Sequence, residues 1–279
     1  MQPFVLHPAQ GEPSPLVLDS PHSGCVFPPD FGHSVTELEL RDGEDFLIHE
    51  LFGSAPRHGA TFITANVART YIDVNRAEDD IDPDLLDGQW PLPVAASGKA
   101  GIGKALVWRT LDDGRPIYAR KLTVAEMQRR IDRVLRPYQA AVRAAIEAAH
   151  ADNGVVFHIN CHSMKAVAGK MSSDGEGSRR ADVVLGDRDG TTCSADFTAL
   201  VRELFADRGY DVRVNDPYKG VELVRAFSAP DRGRHSLQIE LNRRLYMRGS
   251  ELEKSDNFEH LRAVLDGILA EVARFARAR

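Results

Sequence analysis

The chain has 279 residues, 43% of them hydrophobic and 27% charged, with a formal net charge of -6. This length supports one large α/β domain with a substantial core, and the composition excludes a disordered chain. No basic tract offsets the acidic balance, which argues against a nucleic-acid surface. The amino-terminal MQPFVLHPAQ has neither a basic region nor a continuous apolar run. Nothing elsewhere approaches the roughly 18 apolar residues of a membrane span, so a cytoplasmic protein without membrane contact is expected. Cys25, Cys161 and Cys193 are an odd set without a CxxC pair, which points to reduced, mostly buried thiols.

In chain order, the apolar run Leu16 to Asp19 predicts a buried strand that ends on "SPHSG". Residues 44–58 carry Phe46, Leu47, Leu51 and Phe52 at helical spacing, and "ATFITAN" and "RTYIDVN" read as strands. Residues 77–104 form a long Pro- and Gly-rich loop. The clearest helix runs from Thr123, in a capping box with Glu126, to Gly154, with a kink expected at Pro137. "GVVFHINCHSM" predicts a buried central strand, and a second long loop spans 165–180. Strand "DVVLG", helix 194–209, strand "DVRVN" and the extended runs "ELVRAF" and "HSLQIEL" follow, before a terminal amphipathic helix from Asp256 to Ala276. Strands alternating with helices predict a three-layer α/β fold whose sheet is mostly parallel or mixed. In such sheets ligands gather beyond the carboxyl ends of the strands.

Four predicted strand ends carry reactive side chains: His22, Asn75-Arg76, His162 and Glu240. A histidine at a strand end is ordinarily structural, but two histidines and carboxylates converging on one rim are what a hydrolytic metal site requires. A catalytic zinc takes three protein ligands, so a carboxylate must join His22 and His162; Glu44 and Asp45 are the candidates. Glu240 remains as general base. Alternation puts His158, Asn160 and His162 on one strand face; His162 is preferred as ligand because it stands at the strand's end, and His158 is expected to be buried and hydrogen-bonded. His235 could orient Glu240 or contact an oxyanion, as could Arg69 contact the latter. Arg76 has the planar fork for a carboxylate, with Asn75 as a further donor. A serine or cysteine hydrolase is disfavoured because no GxSxG elbow is present.

"SPHSG", "YIDVNR", "NCHSM", "YKGVELVR" and "HSLQIELNRRLYM", in this order between about Leu16 and Met247, resemble the N-formylglutamate amidohydrolase family. More distantly, the order of histidine, carboxylate, Asp-x-Asn-Arg, histidine and late glutamate is similar to that of zinc carboxypeptidases and aspartoacylases. The resemblance implies a zinc-carboxypeptidase-like (phosphorylase/hydrolase-like) fold in a single metallohydrolase domain over 1–279, with one zinc or another divalent transition metal. It implies that His22 and His162 are ligands and makes Asp45 the more natural third ligand, with Glu44 still open. The implied substrate is N-formyl-L-glutamate, hydrolysed to formate and L-glutamate in histidine degradation. Its second carboxylate needs a second cation, for which Arg69, Lys219, Arg225 and Arg243 are the candidates. The alternatives are another N-acyl amino acid hydrolase, a carboxypeptidase-like enzyme, or a metal-free module that binds carboxylates.

Overall fold

A computed structural model describes residues 1–279 apart from 171, 173, 250 and 251. Seven strands form the main sheet: β1 (Phe4–His7), β2 (Leu16–Ser20), β3 (Thr61–Ala65), β6 (Val156–Met164), β7 (Val183–Gly186), β8 (Val212–Val214) and β9 (Arg234–Asn242), in the order β1-β3-β2-β6-β9-β7-β8. Two short strands, β4 (Leu86–Asp87) and β5 (Leu122–Thr123), pair apart from it within the irregular wall. Strands β3, β2, β6 and β9 are parallel, while β1 and β7 run antiparallel to their neighbours β3 and β9, so the sheet is mixed.

The helices are α1 (Glu37–Leu40), α2 (Ile48–Leu51), α3 (Val124–Arg130), α4 (Arg136–Asn153), α5 (Ala195–Ala206), α6 (Glu222–Ala226) and α7 (Phe258–Arg277). They cover both sheet faces. Odd-numbered residues of β6, Phe157, Ile159 and Cys161, join Leu237, Ile239 and Leu241 of β9 against α2, α5 and α7. The opposite face packs on α3 and α4 through Val17, Ile63 and Val156, with Tyr138, Val142 and Ile146 facing them. This is the expected three-layer arrangement. Among the described residues no helix is long and apolar enough to cross a membrane.

Three expected elements differ. Residues 44–58 hold only the single turn of α2 and a tighter turn at Ala55–His58; Leu47 sits at φ 55°, and the Asp45 N–H is taken by the His22 carbonyl at 2.9 Å. That bond keeps Asp45 out of any helix. "RTYIDVN" is irregular: Tyr71, Ile72 and Val74 are buried because the segment lies beneath α3–α4, not because it pairs in the sheet. "ELVRAF" contains helix α6, whose Leu223 N–H is accepted by the Asn75 side-chain oxygen at 2.9 Å. The long helix runs past Pro137 to Asn153 as expected, with a π-helical turn at Ile131–Leu135 just before the proline.

The "SPHSG" exit owes its shape to close backbone approach. A Cβ on Gly24 would lie 2.4 Å from the Val67 carbonyl oxygen, so only glycine lets the chain leaving β2 cross the chain leaving β3. Arg130, 1% exposed at the end of α3, ties down the irregular wall: it donates to the carbonyls of Tyr71 and Phe31, each at 2.8 Å, and to the Tyr118 hydroxyl at 2.7 Å. Its guanidinium also stacks 4.1 Å from the Tyr71 ring centroid. Replacing Arg130 by Met strands three buried acceptors, so urea denaturation of the variant should show a loss of about 3 kcal/mol.

Candidate active site

Parallel pairing of β2, β6 and β9 sends three carboxyl ends to one rim of the sheet. His22 follows β2, and His162 of β6 is in direct register with Glu240 of β9, so both project from the same face. The same face carries Asn160 beside Gln238 and His158 beside Ser236, all buried. His158 is structural, as its alternation and position predicted. Its Nδ1 bonds Ser236 Oγ at 2.7 Å and its Nε2 bonds Asp19 Oδ1 at 2.9 Å.

His22, Asp45 and His162 bring one ligand atom each within 4.8 Å of one another, all three buried. Proton positions follow from their other partners. His22 Nε2 lies 2.6 Å from Asp73 Oδ1, a carboxylate that can only accept, so the proton is on Nε2 and Nδ1 keeps its lone pair. His162 Nε2 donates to Asn160 Oδ1 at 2.6 Å; the Asn160 amide is itself oriented by its donation to Asp19 at 2.7 Å. The Nδ1 atoms of both rings therefore point lone pairs at Asp45 Oδ2, at 3.3 and 2.9 Å, and His22 Nδ1 is a buried nitrogen with no hydrogen-bond partner among the described residues. Two neutral nitrogens and a carboxylate oxygen facing one point repel unless a cation lies between them. The 3.3 Å edge from His22 equals the donor-to-donor spacing of about 3.3 Å around a tetrahedral zinc, and the 2.9 Å edge from His162 is shorter. This N/N/O set could hold zinc or another divalent transition metal.

Asp45 divides its oxygens. Oδ1 accepts from Ser163 Oγ at 3.0 Å and lies 3.4 Å from Arg243, which leaves Oδ2 for the histidines. Burial pushes the His162 pKa down, consistent with a neutral ring. Burial, reinforced by the neighbouring Asp45, pushes the Glu240 carboxyl well up despite Arg69 and Arg243. Gln238 Nε2 donates to Glu240 Oε1 at 2.9 Å and fixes its direction.

The remaining expected residues separate into two groups. Arg69, Asn75, Arg76 and Arg243 line the same cavity of about 270 Å³ as the His–Asp–His group and Glu240. Arg76 touches the protein through Nε, 3.4 Å from the Lys104 carbonyl, and its terminal nitrogens make no hydrogen bond among the described residues. Arg69 is neutralised by Asp73 at 2.8 Å and stacks 4.9 Å from the Trp108 ring centroid. Asn75 spends its amide internally, accepting from Leu223 N–H and donating to Asn160 Oδ1. Arg243 bolts the Asp45 segment to Ser163 Oγ (3.1 Å) and the Glu44 carbonyl.

Four residues fall elsewhere. Glu44 turns away into a two-point pair with Arg41, at 2.7 and 3.2 Å, so Asp45 alone of the two joins the histidines. His235 projects from the opposite face of β9, stacked 4.9 Å from Phe157 with its Nδ1 accepting from Ser194, and cannot orient Glu240. Lys219 is exposed and pairs with Asp189 at 2.9 Å, and Arg225 is exposed and pairs with Glu222 at 2.8 Å; neither lines the cavity. Sequence reasoning missed Asp73, although it stands inside "YIDVNR", and Gln238, which strand alternation places beside Glu240. It also missed Lys104, whose amine packs 3.6 Å from the Trp108 ring centroid and is pushed down to about 8 by burial despite Asp112. Nothing local in the sequence marks that lysine.

Fold and site together define an α/β protein with a buried, catalytic-type His–Asp–His group beside a glutamate. Residues 14–247 match the N-formylglutamate amidohydrolase family, and the chain belongs to it. The N-formylglutamate deformylase of Pseudomonas aeruginosa is 27% identical over 272 residues, 95% of each chain, and that of Pseudomonas putida 26% over 241 residues, 85% of this chain and 83% of the other. The crystal structure of N-formylglutamate amidohydrolase from Ralstonia eutropha is 45% identical, covering 100% of this chain and 99% of that one, with a TM-score of 0.96. A gene product of Agrobacterium tumefaciens, 18% identical over 100% of this chain and 96% of its own, shares the fold with a TM-score of 0.68.

Because Asp73 holds the His22 tautomer, Asp73→Asn should weaken divalent-cation binding about 10- to 100-fold in competition with a chelating dye. Glu44→Gln should leave that affinity as it is.

Proposed function

We propose that this chain hydrolyses N-formyl-L-glutamate to formate and L-glutamate, using a divalent cation, most naturally zinc, held by His22, Asp45 and His162. The observation that carries the reading is the lone-pair convergence of His22 and His162 on Asp45 Oδ2 beside Glu240, within a chain of the amidohydrolase family. The names of the Pseudomonas and Ralstonia relatives support the choice of substrate.

When bound, the cation supplies Lewis acidity to the attacking water and the formyl oxygen. Glu240, aimed by Gln238, accepts the water proton as the new C–O bond forms. It then delivers that proton to the amide nitrogen as the C–N bond breaks, so the amine leaves neutral. Arg76 receives one substrate carboxylate on its free terminal nitrogens. Arg69, with a buried Nε lacking a partner, faces the same cavity and adds positive potential where the oxyanion develops.

Among the side chains lining the cavity, seven Arg or Lys oppose five Asp or Glu, an excess that suits a dianion. Its volume of about 270 Å³ falls just below the ~300–1,000 Å³ of drug-sized pockets and favours a single acylated amino acid over a peptide. The reading is tested by formate release from N-formylglutamate against other N-acyl amino acids, before and after chelation. Release confined to the metal-loaded protein and strongest with N-formylglutamate is expected; undiminished release after complete metal removal would overturn the metal role. Glu240→Gln should cut kcat at least about 100-fold while the variant retains its cation, as measured by metal content after gel filtration.

A further inference from the structure

A dianionic substrate brings a second carboxylate, and most cations of the cavity are already committed. Arg69 is paired with Asp73, Arg243 holds the Asp45 segment, and Lys104 is pinned to Asp112 at 2.9 Å and the Thr110 carbonyl at 2.8 Å. Lys99 is an exposed point charge without a fork. Arg180 is engaged too, by Asp174, the Lys165 carbonyl and the Ser172 hydroxyl, but its contact with Asp174 is the two-point kind that a substrate carboxylate would make. The Arg180 side chain is only 5% exposed, it lines the same cavity as Glu240, and its guanidinium packs 5.2 Å from the Tyr218 ring centroid. Its backbone is fixed beside the end of β9, because Asn242 Nδ2 donates to the carbonyls of Arg180 and Ala181 at 3.2 and 2.9 Å.

The fork of Arg180 holds a carboxylate in this structure, and that carboxylate belongs to the chain. Nε and one terminal nitrogen donate to the two oxygens of Asp174, at 2.9 and 3.0 Å. Asp174 lines the substrate cavity too, and both it and Arg180 also line a second cavity of about 610 Å³, together with Arg179 and Arg213. It is followed by Gly175 and Gly177, both at positive φ, so its backbone can re-aim the side chain without a Cβ penalty.

We propose that Arg180 is the receptor for the substrate's second carboxylate and that Asp174 occupies its fork as an internal stand-in, displaced toward the second cavity when substrate binds. The exchange replaces one two-point carboxylate contact by another, so hydrogen bonds at the guanidinium are conserved and only the loop carboxylate changes surroundings. Selectivity for an acidic side chain follows, since a neutral side chain cannot take the place of Asp174 and would leave the fork closed. This inference rests on the amidohydrolase reading for its substrate, and its test is arranged to survive that reading's failure.

The two partners of an ordinary structural ion pair give effects of the same sign when removed; a receptor and its competitor give opposite signs. Arg180→Gln should lower the ratio of kcat/KM for N-formylglutamate over N-formylalanine about 10- to 100-fold, with Arg180→Lys between it and the parent. Asp174→Asn should raise the same ratio about three- to tenfold by freeing the fork. In parallel, calorimetry on the metal-loaded protein compares glutarate with butyrate, which lacks one carboxylate, and the glutarate preference should move in the same two directions. Equal-sign effects of the two substitutions, or parent protein that binds glutarate no more tightly than butyrate, would overturn the assignment. Formate release from no N-formyl amino acid, with the glutarate preference following both substitutions as expected, would remove the reaction and leave the receptor standing.

Discussion

The parallel ladder of β2, β6 and β9 is the constraint on which the site depends. It places Asp19, His158, Asn160, His162, Ser236, Gln238 and Glu240 within the buried centre of an open sheet, where an unpaired polar group is costly. The sequence meets that cost with a chain of partners: Ser236 to His158, His158 to Asp19, Asp19 to Asn160 and Asn160 to His162, with Tyr138 from α4 adding a bond to Asp19 at 2.8 Å. His162 is the outermost link, so its ring angle is set by a line of buried bonds reaching half the length of the strand. A buried network bonded in series in this way is rigid, which is what a site with strict geometry needs.

Electrostatics at the rim follow one rule: each buried carboxylate divides its oxygens between fixing a partner and serving the centre. Asp73 gives Oδ1 to His22 and Oδ2 to Arg69; Asp45 gives Oδ1 to Ser163 and Oδ2 to the histidines. Burial works to raise the Asp73 pKa, but the Arg69 charge holds it well below the usual carboxylate range. Among the described residues Glu240 has a single side-chain hydrogen bond, from Gln238, and burial together with the neighbouring Asp45 pushes it the other way. Neighbouring carboxylates with pKa values driven apart can divide the labour of ligand and base.

Much of this was legible because it is local. His22, His162 and Glu240 stand at the ends of apolar strand runs, and the period of two put His158, Asn160 and His162 on one face before any coordinates were needed. The order of the short motifs carried the family. What stayed hidden is decided by contacts distant in sequence. Residues 69–75 have a strand's composition, yet their apolar side chains are buried by a helix more than fifty residues later; "ELVRAF" is helical where an asparagine side chain from Asn75 accepts a backbone N–H. Glu44 and Asp45 are adjacent and chemically alike, and only the pull of Arg41 on one and of the His22 carbonyl on the other separates them. His235 looked suitable because it is five residues from Glu240, but an odd separation along a strand puts it on the far side.

Arg130 has a meaning for the energetics of the whole rim. The segments around Phe31, Tyr71 and Tyr118 lie outside the main sheet, yet all three close on one guanidinium at the end of α3. In chain connectivity they are loops; in thermodynamic terms they belong to the helix, because none can open without breaking its buried anchor. Asp73, two residues from the Tyr71 carbonyl that Arg130 holds, therefore inherits its immobility from a helix it barely touches. The site's irregular wall rises and falls with the core, and local fluctuation is left to the stretches that Arg130 does not hold.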